Sequence, residues 1–166
     1  MDSGKNLNNK EKELEDRKQS EEYKEEDEND NCEKLPSDYV KYDFNYKIII
    51  IGDSGVGKTC LMNRAIDGEF TEKIQPTLGF EYRHFFLKYK EKVLKLEIWD
   101  TCGQEAYRSL IKGFFNNASL AIIVYGVNDE KTFDSINEWI RQCKLNCTPE
   151  TKFILIGNKS DVPDEQ

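Results

Sequence analysis

The segment that most constrains the fold is the octapeptide Gly52-Asp53-Ser54-Gly55-Val56-Gly57-Lys58-Thr59, which directly follows the apolar run Lys47–Ile51. It has the form G-x-x-x-x-G-K-[ST] between a predicted strand and a predicted helix. Its glycines let the backbone curl so that successive N–H groups point at one anion, and the following helix adds the positive end of its dipole. The sequence therefore predicts a phosphate-binding loop, in which Lys58 contacts phosphate and the Thr59 hydroxyl can bind Mg²⁺.

Three short apolar runs rich in β-branched residues predict strands: Lys47–Ile51, Leu120–Tyr125 and Lys152–Ile156. Such runs are typical of parallel strands that helices cover on both faces. Apolar residues at helical spacing supply the helices. One stripe follows the first run (Leu61, Met62, Ala65 and Ile66), and another lies between the last two runs (Phe133, Ile136, Trp139, Ile140 and Cys143).

Two further segments, Glu81–Tyr89 and Val93–Trp99, are separated only by Lys90-Glu91-Lys92. The second alternates apolar and charged residues, which predicts an antiparallel hairpin at one edge of the sheet. The order is then strand, helix, hairpin, helix, strand, helix, strand. This order predicts an α/β fold with a doubly wound, mostly parallel sheet and one antiparallel edge strand.

The first 45 residues differ in composition from the rest of the chain. Residues 1–45 contain 15 acidic and 8 basic residues, whereas residues 46–166 contain 17 acidic and 16 basic residues. Within the first segment, Asn6–Glu33 is low in complexity and has too few apolar residues to form a core. The sequence predicts a disordered acidic N-terminal extension over 1–45, as an arm for a basic partner or for autoinhibition if it has a function, and a domain over 46–166.

Several classes of protein are excluded by composition. The net charge of -8 leaves no basic face for nucleic acid. No apolar stretch approaches the roughly 20 residues that cross a bilayer, and the first thirty residues lack the apolar core of a secretory signal. The five cysteines are an odd number without metal-type spacing. A cytoplasmic protein with reduced thiols is therefore predicted.

Polar residues after the strands at Val93–Trp99 and Lys152–Ile156 extend the phosphate site. Asp100 lies at a strand tip and is a natural partner for Mg²⁺ through water. Gly103 is able to offer its N–H to a γ-phosphate, and Gln104 is able to orient an attacking water. In Asn158-Lys159-Ser160-Asp161, the Asp161 carboxylate can accept two N–H bonds from guanine, whereas adenine presents an acceptor at N1. These residues predict guanine selectivity and disfavour an ATPase or a kinase.

With these three motifs in order, the chain resembles the small GTPases of the Ras superfamily, P-loop NTPases with a Ras-like G domain, and most closely the Rab branch. The resemblance covers Phe44 to about Val162. The Rab features are Gly79-Phe80-Glu81-Tyr82, Ile98-Trp99 and Tyr107-Arg108-Ser109-Leu110. It implies a guanine-nucleotide switch that regulates vesicle traffic and hydrolyses GTP to GDP slowly, with Mg²⁺ as cofactor. Exchange factors, GTPase-activating proteins and effectors are the implied partners.

The resemblance also implies roles for individual residues. Gln104 and Lys58 are the catalytic residues. Thr59, Thr77 and, through water, Asp100 hold the metal, and Tyr82, Trp99 and Phe114 face effectors. The implied nucleotide-binding residues are Asp53, Ser54, Gly55, Val56, Gly57, Lys58, Thr59, Cys60, Thr77, Gly103, Asn158, Lys159 and Asp161.

The family continues past the position of Asp161 with a further helix, a sixth strand, a Ser-Ala-Lys loop, a last helix and terminal cysteines for prenylation. This chain ends at Gln166, so the expected fold lacks the last strand and helix. Two functions remain open: the nucleotide switch, and a truncated, non-catalytic remnant that acts as an interaction protein. Association with an endomembrane surface is expected only if a lipidated C-terminus exists beyond this chain.

Overall fold

The computed structural model of the chain describes residues 32–70, 77, 79–102 and 113–161. The strands are β1 (Cys32–Leu35), β2 (Phe44–Ile51), β3 (Phe80–Tyr89), β4 (Lys92–Thr101), β5 (Leu120–Gly126) and β6 (Lys152–Asn158). They form one sheet in the order β1-β3-β4-β2-β5-β6. The helices are α1 (Lys58–Asp67), α2 (Glu130–Asp134) and α3 (Ile136–Asn146).

The central strand β2 builds the core on both faces of the sheet. It pairs in parallel with β4 on one side and with β5 on the other. Side chains alternate along a strand, so Ile48 and Ile50 pack with Met62 of α1, whereas Ile49 and Ile51 pack with Trp139 of α3. Helices therefore cover opposite faces, and the predicted doubly wound α/β fold is confirmed.

The predicted hairpin is confirmed as the antiparallel pair β3–β4. It is not the outermost part of the sheet, because β1 pairs antiparallel with the far half of β3, from Cys32 opposite Tyr89 to Leu35 opposite Phe86. The sequence places β1 within the acidic N-terminal segment. The sequence does not predict this strand because backbone hydrogen bonds to the distant strand β3 stabilise it. Such bonds require no apolar pattern in β1 itself. The predicted disorder of residues 1–31 lies outside the described residues.

Strand β6 differs from the expectation that it is buried on both faces. It pairs in parallel with β5, but Phe153, Ile154 and Leu155 remain about half exposed. Helix α3 packs on strands β2 and β5. Among the described residues, the core clusters include none of Phe153, Ile154 and Leu155. The apolar run therefore predicts the strand correctly and its burial wrongly.

The parallel direction of β2, β4, β5 and β6 places the predicted site residues at one end of the sheet. Gly52 follows β2, Cys102 follows β4, Val127 follows β5 and Lys159 follows β6. Carboxyl ends of parallel strands meet at one edge, which is where ligands bind in such folds. Among the described helices, none is long and apolar enough to cross a membrane.

Candidate functional site

The loop between β2 and α1 has the conformation that its glycines permit. Gly52, Gly55 and Gly57 have φ angles of 144°, 79° and 96°. A Cβ atom on Gly52 would lie 2.1 Å from the carbonyl oxygen of Val124, and one on Gly57 would lie 2.3 Å from the side-chain amide nitrogen of Asn158. The backbone of Val124 therefore excludes a side chain at Gly52. At Gly57 a side chain would have to displace that of Asn158 in a backbone conformation that favours glycine. Gly57 is the N-cap of α1, so the loop leads directly into the N-terminus of the helix.

Lys58 begins α1, and only 6% of the residue is exposed. Its Nζ atom donates hydrogen bonds to the carbonyl oxygens of Gly52, at 2.9 Å, and Asp53, at 2.7 Å. Burial lowers the pKa of Lys58, and the negative charge of Asp100 acts in the opposite direction. A buried ammonium group held beside a loop of backbone N–H groups is suited to bind an anion.

Three oxygen-bearing side chains predicted to hold a metal come together next to Lys58. The Thr59 hydroxyl lies 2.8 Å from the Thr77 hydroxyl and donates a hydrogen bond to Oδ2 of Asp100. Asp100 is fully buried, and burial raises its pKa. Its other oxygen, Oδ1, has no hydrogen-bond partner among the described residues. An orphaned carboxylate oxygen beside two hydroxyls fits a hard cation such as Mg²⁺.

The protein atoms alone do not complete a metal site. In the described part of the chain, no group of three or more histidine, cysteine or acidic side chains could hold a metal ion. Mg²⁺ usually keeps several waters and is bound through one or two protein ligands together with substrate phosphates. The cluster of Thr59, Thr77 and Asp100 therefore has the character of a metal–phosphate site.

The end of β6 is tied to the phosphate loop. The side-chain amide of Asn158 donates a 2.8 Å hydrogen bond to the carbonyl oxygen of Val56, which is the link that the sequence predicts. Lys159 has a positive φ of 65°, which turns the chain after the strand. The Val127 N–H donates to the carbonyl oxygen of Asn158, at 2.9 Å, and fixes this turn beside the end of β5. Asp161 is exposed and therefore open to a ligand.

The predicted aromatic residues also come together, beyond the phosphate site. The ring centroids of Tyr82 and Trp99 are 4.9 Å apart, and those of Trp99 and Phe114 are 5.5 Å apart. Phe80 lies 5.6 Å from Trp99 and 4.6 Å from Phe114, and it is half exposed. Its place on the same face of β3 as Tyr82, two residues away, is the sequence signal that identifies this fourth member.

Another contact at the site has no motif to predict it. Nε1 of Trp139 donates a 2.8 Å hydrogen bond to Oδ1 of Asp53, although the two residues are 86 positions apart. The sequence places Trp139 in a core stripe, where it does lie. The sequence offers only a general indication of this contact, since a buried indole N–H usually donates to an acceptor.

The structure places the predicted site residues in three groups. The loop and the cluster of Thr59, Thr77 and Asp100 lie next to Lys58, and Cys60 lies in the first turn of α1. Asn158 ends β6, and Lys159 and Asp161 follow it. Gly103 and Gln104 lie outside the described residues.

The part of the chain that contains these residues is similar to known proteins. The Ras family model matches residues 47–166. Ras-related protein Rab-8B of Dictyostelium discoideum is 41% identical over 125 residues, which cover 75% of this chain and 62% of that protein. GTP-binding protein ypt1 of Schizosaccharomyces pombe is 36% identical over 126 residues, covering 76% and 62%. Ras-related protein RABA1b of Arabidopsis thaliana is 40% identical over 121 residues, covering 73% and 56%.

The chain therefore spans 56 to 62% of the length of these curated relatives. The family match begins at the first residues of the predicted parallel strand and includes every motif of the site. Together with the loop geometry around Lys58, it shows that the chain belongs to the Ras family and is similar to its Rab members.

Proposed function

We propose that this protein is a guanine-nucleotide switch that binds GTP or GDP with Mg²⁺ and hydrolyses GTP slowly. The observation that carries the proposal is the convergence of Lys58, Thr59, Thr77 and Asp100 at the end of the phosphate loop. The names of the relatives, which include a GTP-binding protein and two Rab proteins, support the same function.

Mg²⁺ fits this site through the hydroxyls of Thr59 and Thr77 and, through water, the carboxylate of Asp100. The ion would neutralise charge on the β- and γ-phosphates. Lys58 would bind the same phosphates, and the loop N–H groups would hold their remaining oxygens. Thr77 would sense the γ-phosphate, so its segment would be ordered with GTP and released with GDP.

Hydrolysis requires a group that orients water, and we assign that role to Gln104 on the basis of the family resemblance. The test is single-turnover hydrolysis of GTP by Gln104→Leu, with nucleotide affinity measured in parallel. The expected result is a strongly reduced rate with retained binding, since leucine can neither donate nor accept a hydrogen bond. An unchanged rate would remove Gln104 from the mechanism.

Guanine selectivity is assigned to Asp161, which would accept the N1–H and the exocyclic amine of the base. The test compares the affinities of fluorescent mant-GDP and mant-ADP for the purified chain. We expect a strong preference for mant-GDP that Asp161→Asn largely removes, because the amide cannot accept both N–H bonds. Binding of neither nucleotide would support the alternative, a non-catalytic interaction protein.

The aromatic surface formed by Tyr82, Trp99 and Phe114, extended by Phe80, is proposed to contact effectors. Large aromatic residues that cluster at a surface are typical anchors of protein interfaces. Exchange factors and GTPase-activating proteins would act on the segments next to Thr77 and Gln104. The proposed role is regulation of vesicle traffic from the cytoplasm.

A further inference from the structure

Asp53 presents an electrostatic problem at the second position of the phosphate loop. A loop that binds phosphate concentrates N–H groups and positive charge, and a carboxylate that points into it would repel the anion. The two neighbouring loop residues that follow it, Ser54 and Gly55, carry no charge. The direction in which the Asp53 side chain points therefore matters for anion binding.

The structure turns this carboxylate toward α3. Oδ1 of Asp53 accepts the 2.8 Å hydrogen bond from Nε1 of Trp139. Trp139 is only 3% exposed and packs in a cluster with Ile49, Ile51 and Phe115. This cluster lies on the face of the sheet opposite to α1, whose N-terminal residues Lys58 and Thr59 form the anion site. A tightly packed indole has few alternative rotamers, so it is a fixed anchor.

Asp53 is thus held at two points that face in different directions. Its backbone carbonyl oxygen accepts the 2.7 Å hydrogen bond from Lys58, while its side chain is bound to Trp139. Loss of the indole N–H would free the carboxylate to rotate, and Lys58, whose charge already interacts with that of Asp53, could attract it. The carboxylate would then compete with phosphate for the same ammonium group.

We propose that Trp139 is a positioning residue for the phosphate loop, because its indole N–H holds the Asp53 carboxylate away from the anion site. The proposal rests on the proposed function for the identity of the anion as a nucleotide phosphate. Trp139 would then orient the Asp53 carboxylate in addition to packing in the core.

The test is a double-mutant cycle on Trp139 and Asp53. Trp139→Phe keeps an aromatic ring in the core and removes the N–H. We expect it to weaken binding of mant-GDP with Mg²⁺ on the order of tenfold, the typical effect of a lost hydrogen bond to a charged group. Asp53→Asn removes the charge and keeps an acceptor, so it should bind about two- to threefold more tightly than the wild type. The double variant Trp139→Phe with Asp53→Asn should regain most of the lost affinity.

The rescue separates positioning from packing. Phe115→Leu is the matched control, because Phe115 is a buried aromatic residue of the same cluster. If Phe115→Leu affects binding, Asp53→Asn should add only its own two- to threefold gain there, whereas in Trp139→Phe it should recover more than that. An unchanged affinity in Trp139→Phe, or a loss that Asp53→Asn does not restore, would overturn the proposal.

Two further measurements distinguish its failure from failure of the proposed function. Inorganic tripolyphosphate with Mg²⁺ is used as a second probe, since it reports on the loop without a base. If the wild type shows no guanine preference but the rescue appears with tripolyphosphate, the proposed function fails and the role of Trp139 stands. If the wild type binds neither probe, both proposals are wrong. The indole N–H resonance of Trp139 should also shift in Asp53→Ala, and an unshifted resonance would overturn the contact itself.

Discussion

The two outer edges of the sheet are shielded from solvent to different degrees. Strands β1 and β3 lie at one edge, and β6 lies at the other. At the first edge, which we call the covered side, β1 pairs with β3, and residues 36–43 pack against Phe86 of β3. Phe86 of β3 is only 3% exposed there, because Tyr39 and Tyr42 pack against it at 5.9 and 6.3 Å between ring centroids. At the second edge, the open side, Phe153 of β6 is 44% exposed.

Polar contacts reinforce the covered side. Lys34 of β1 donates a hydrogen bond to the carbonyl oxygen of Ile66, near the end of α1, and lies over the ring of Phe85 at 5.6 Å. Arg83 of β3 binds both carboxylate oxygens of Asp67, the last residue of the same helix. These contacts fasten α1 to β3, the two elements on either side of the segment that contains Thr77. The comparison shows that N-terminal residues, rather than an apolar pattern in β3, protect this side.

The largest effect is expected for Phe86→Ala on the covered side. Removal of a buried aromatic ring leaves a cavity, so the free energy of unfolding should fall by about 3 kcal/mol. Chemical denaturation measures this change in the free energy of unfolding. Phe153→Ala on the open side is the matched control, and it should cost about 1 kcal/mol or less because the ring is already half in water. Equal losses would show that the two sides do not differ in packing.

The next effect is expected for Lys34→Ala, which removes the contact between β1 and α1. We expect the free energy of unfolding to fall by about 1 kcal/mol, the typical net value of one hydrogen bond. Amide hydrogen exchange should also become faster in β1 and in the last turn of α1, while β5 and β6 stay unchanged. A loss of protection spread evenly over the sheet would contradict the view of β1 as a local fastening.

The distribution of these contacts explains what was predictable from sequence. The segment from Ile48 to Thr59 predicts its own strand, loop and helix because its signals are local in sequence. The pairing of β1 with β3 joins residues more than fifty positions apart, such as Cys32 and Tyr89. The sequence of β1 has no alternation of apolar and polar residues that would predict this pairing. The hydrogen bond between Trp139 and Asp53 joins residues still further apart in sequence, and it is determined by how α3 packs on the sheet.

The convergence of Lys58, Thr59, Thr77 and Asp100 was predictable only in part. Lys58 and Thr59 follow from the loop pattern, and Asp100 follows from its place at a strand tip. Thr77 was assigned through the family resemblance, because its segment has no periodic pattern that would place its hydroxyl beside Thr59. The exposure of Ile154 could not be predicted, since an apolar run specifies a strand and not the elements that cover it.

A smaller effect is expected from acid on the covered side. Hydrogen bonds from the Val93 N–H and from Lys92 lower the pKa of Asp43 below its ordinary value of 3.8. A carboxylate with a lowered folded-state pKa stabilises the fold above its unfolded pKa, and this stabilisation is lost as the pH falls through the folded pKa. Asp43→Asn should therefore flatten the acid part of a plot of unfolding free energy against pH. The same slope in both proteins would show that this contact does not form in solution.

The smallest change in stability is expected for Ile154→Lys on the open side. Ile154 is 47% exposed, so a lysine can keep its stem on the strand and its ammonium group in water. The free energy of unfolding should change by less than about 0.5 kcal/mol. Self-association measured by sedimentation should decrease, because a charge on an exposed apolar strand opposes pairing between sheets.

The matched control for this variant is Ile123→Lys on the neighbouring strand β5, where Ile123 is 2% exposed and the charge would be buried without a partner. That protein should fail to fold. A large loss of stability in Ile154→Lys as well would show that β6 is covered in solution by something beyond the described residues. The open side would then be an interface. The apolar residues of β6 would be buried by a partner surface, just as those of β5 are buried by the helices.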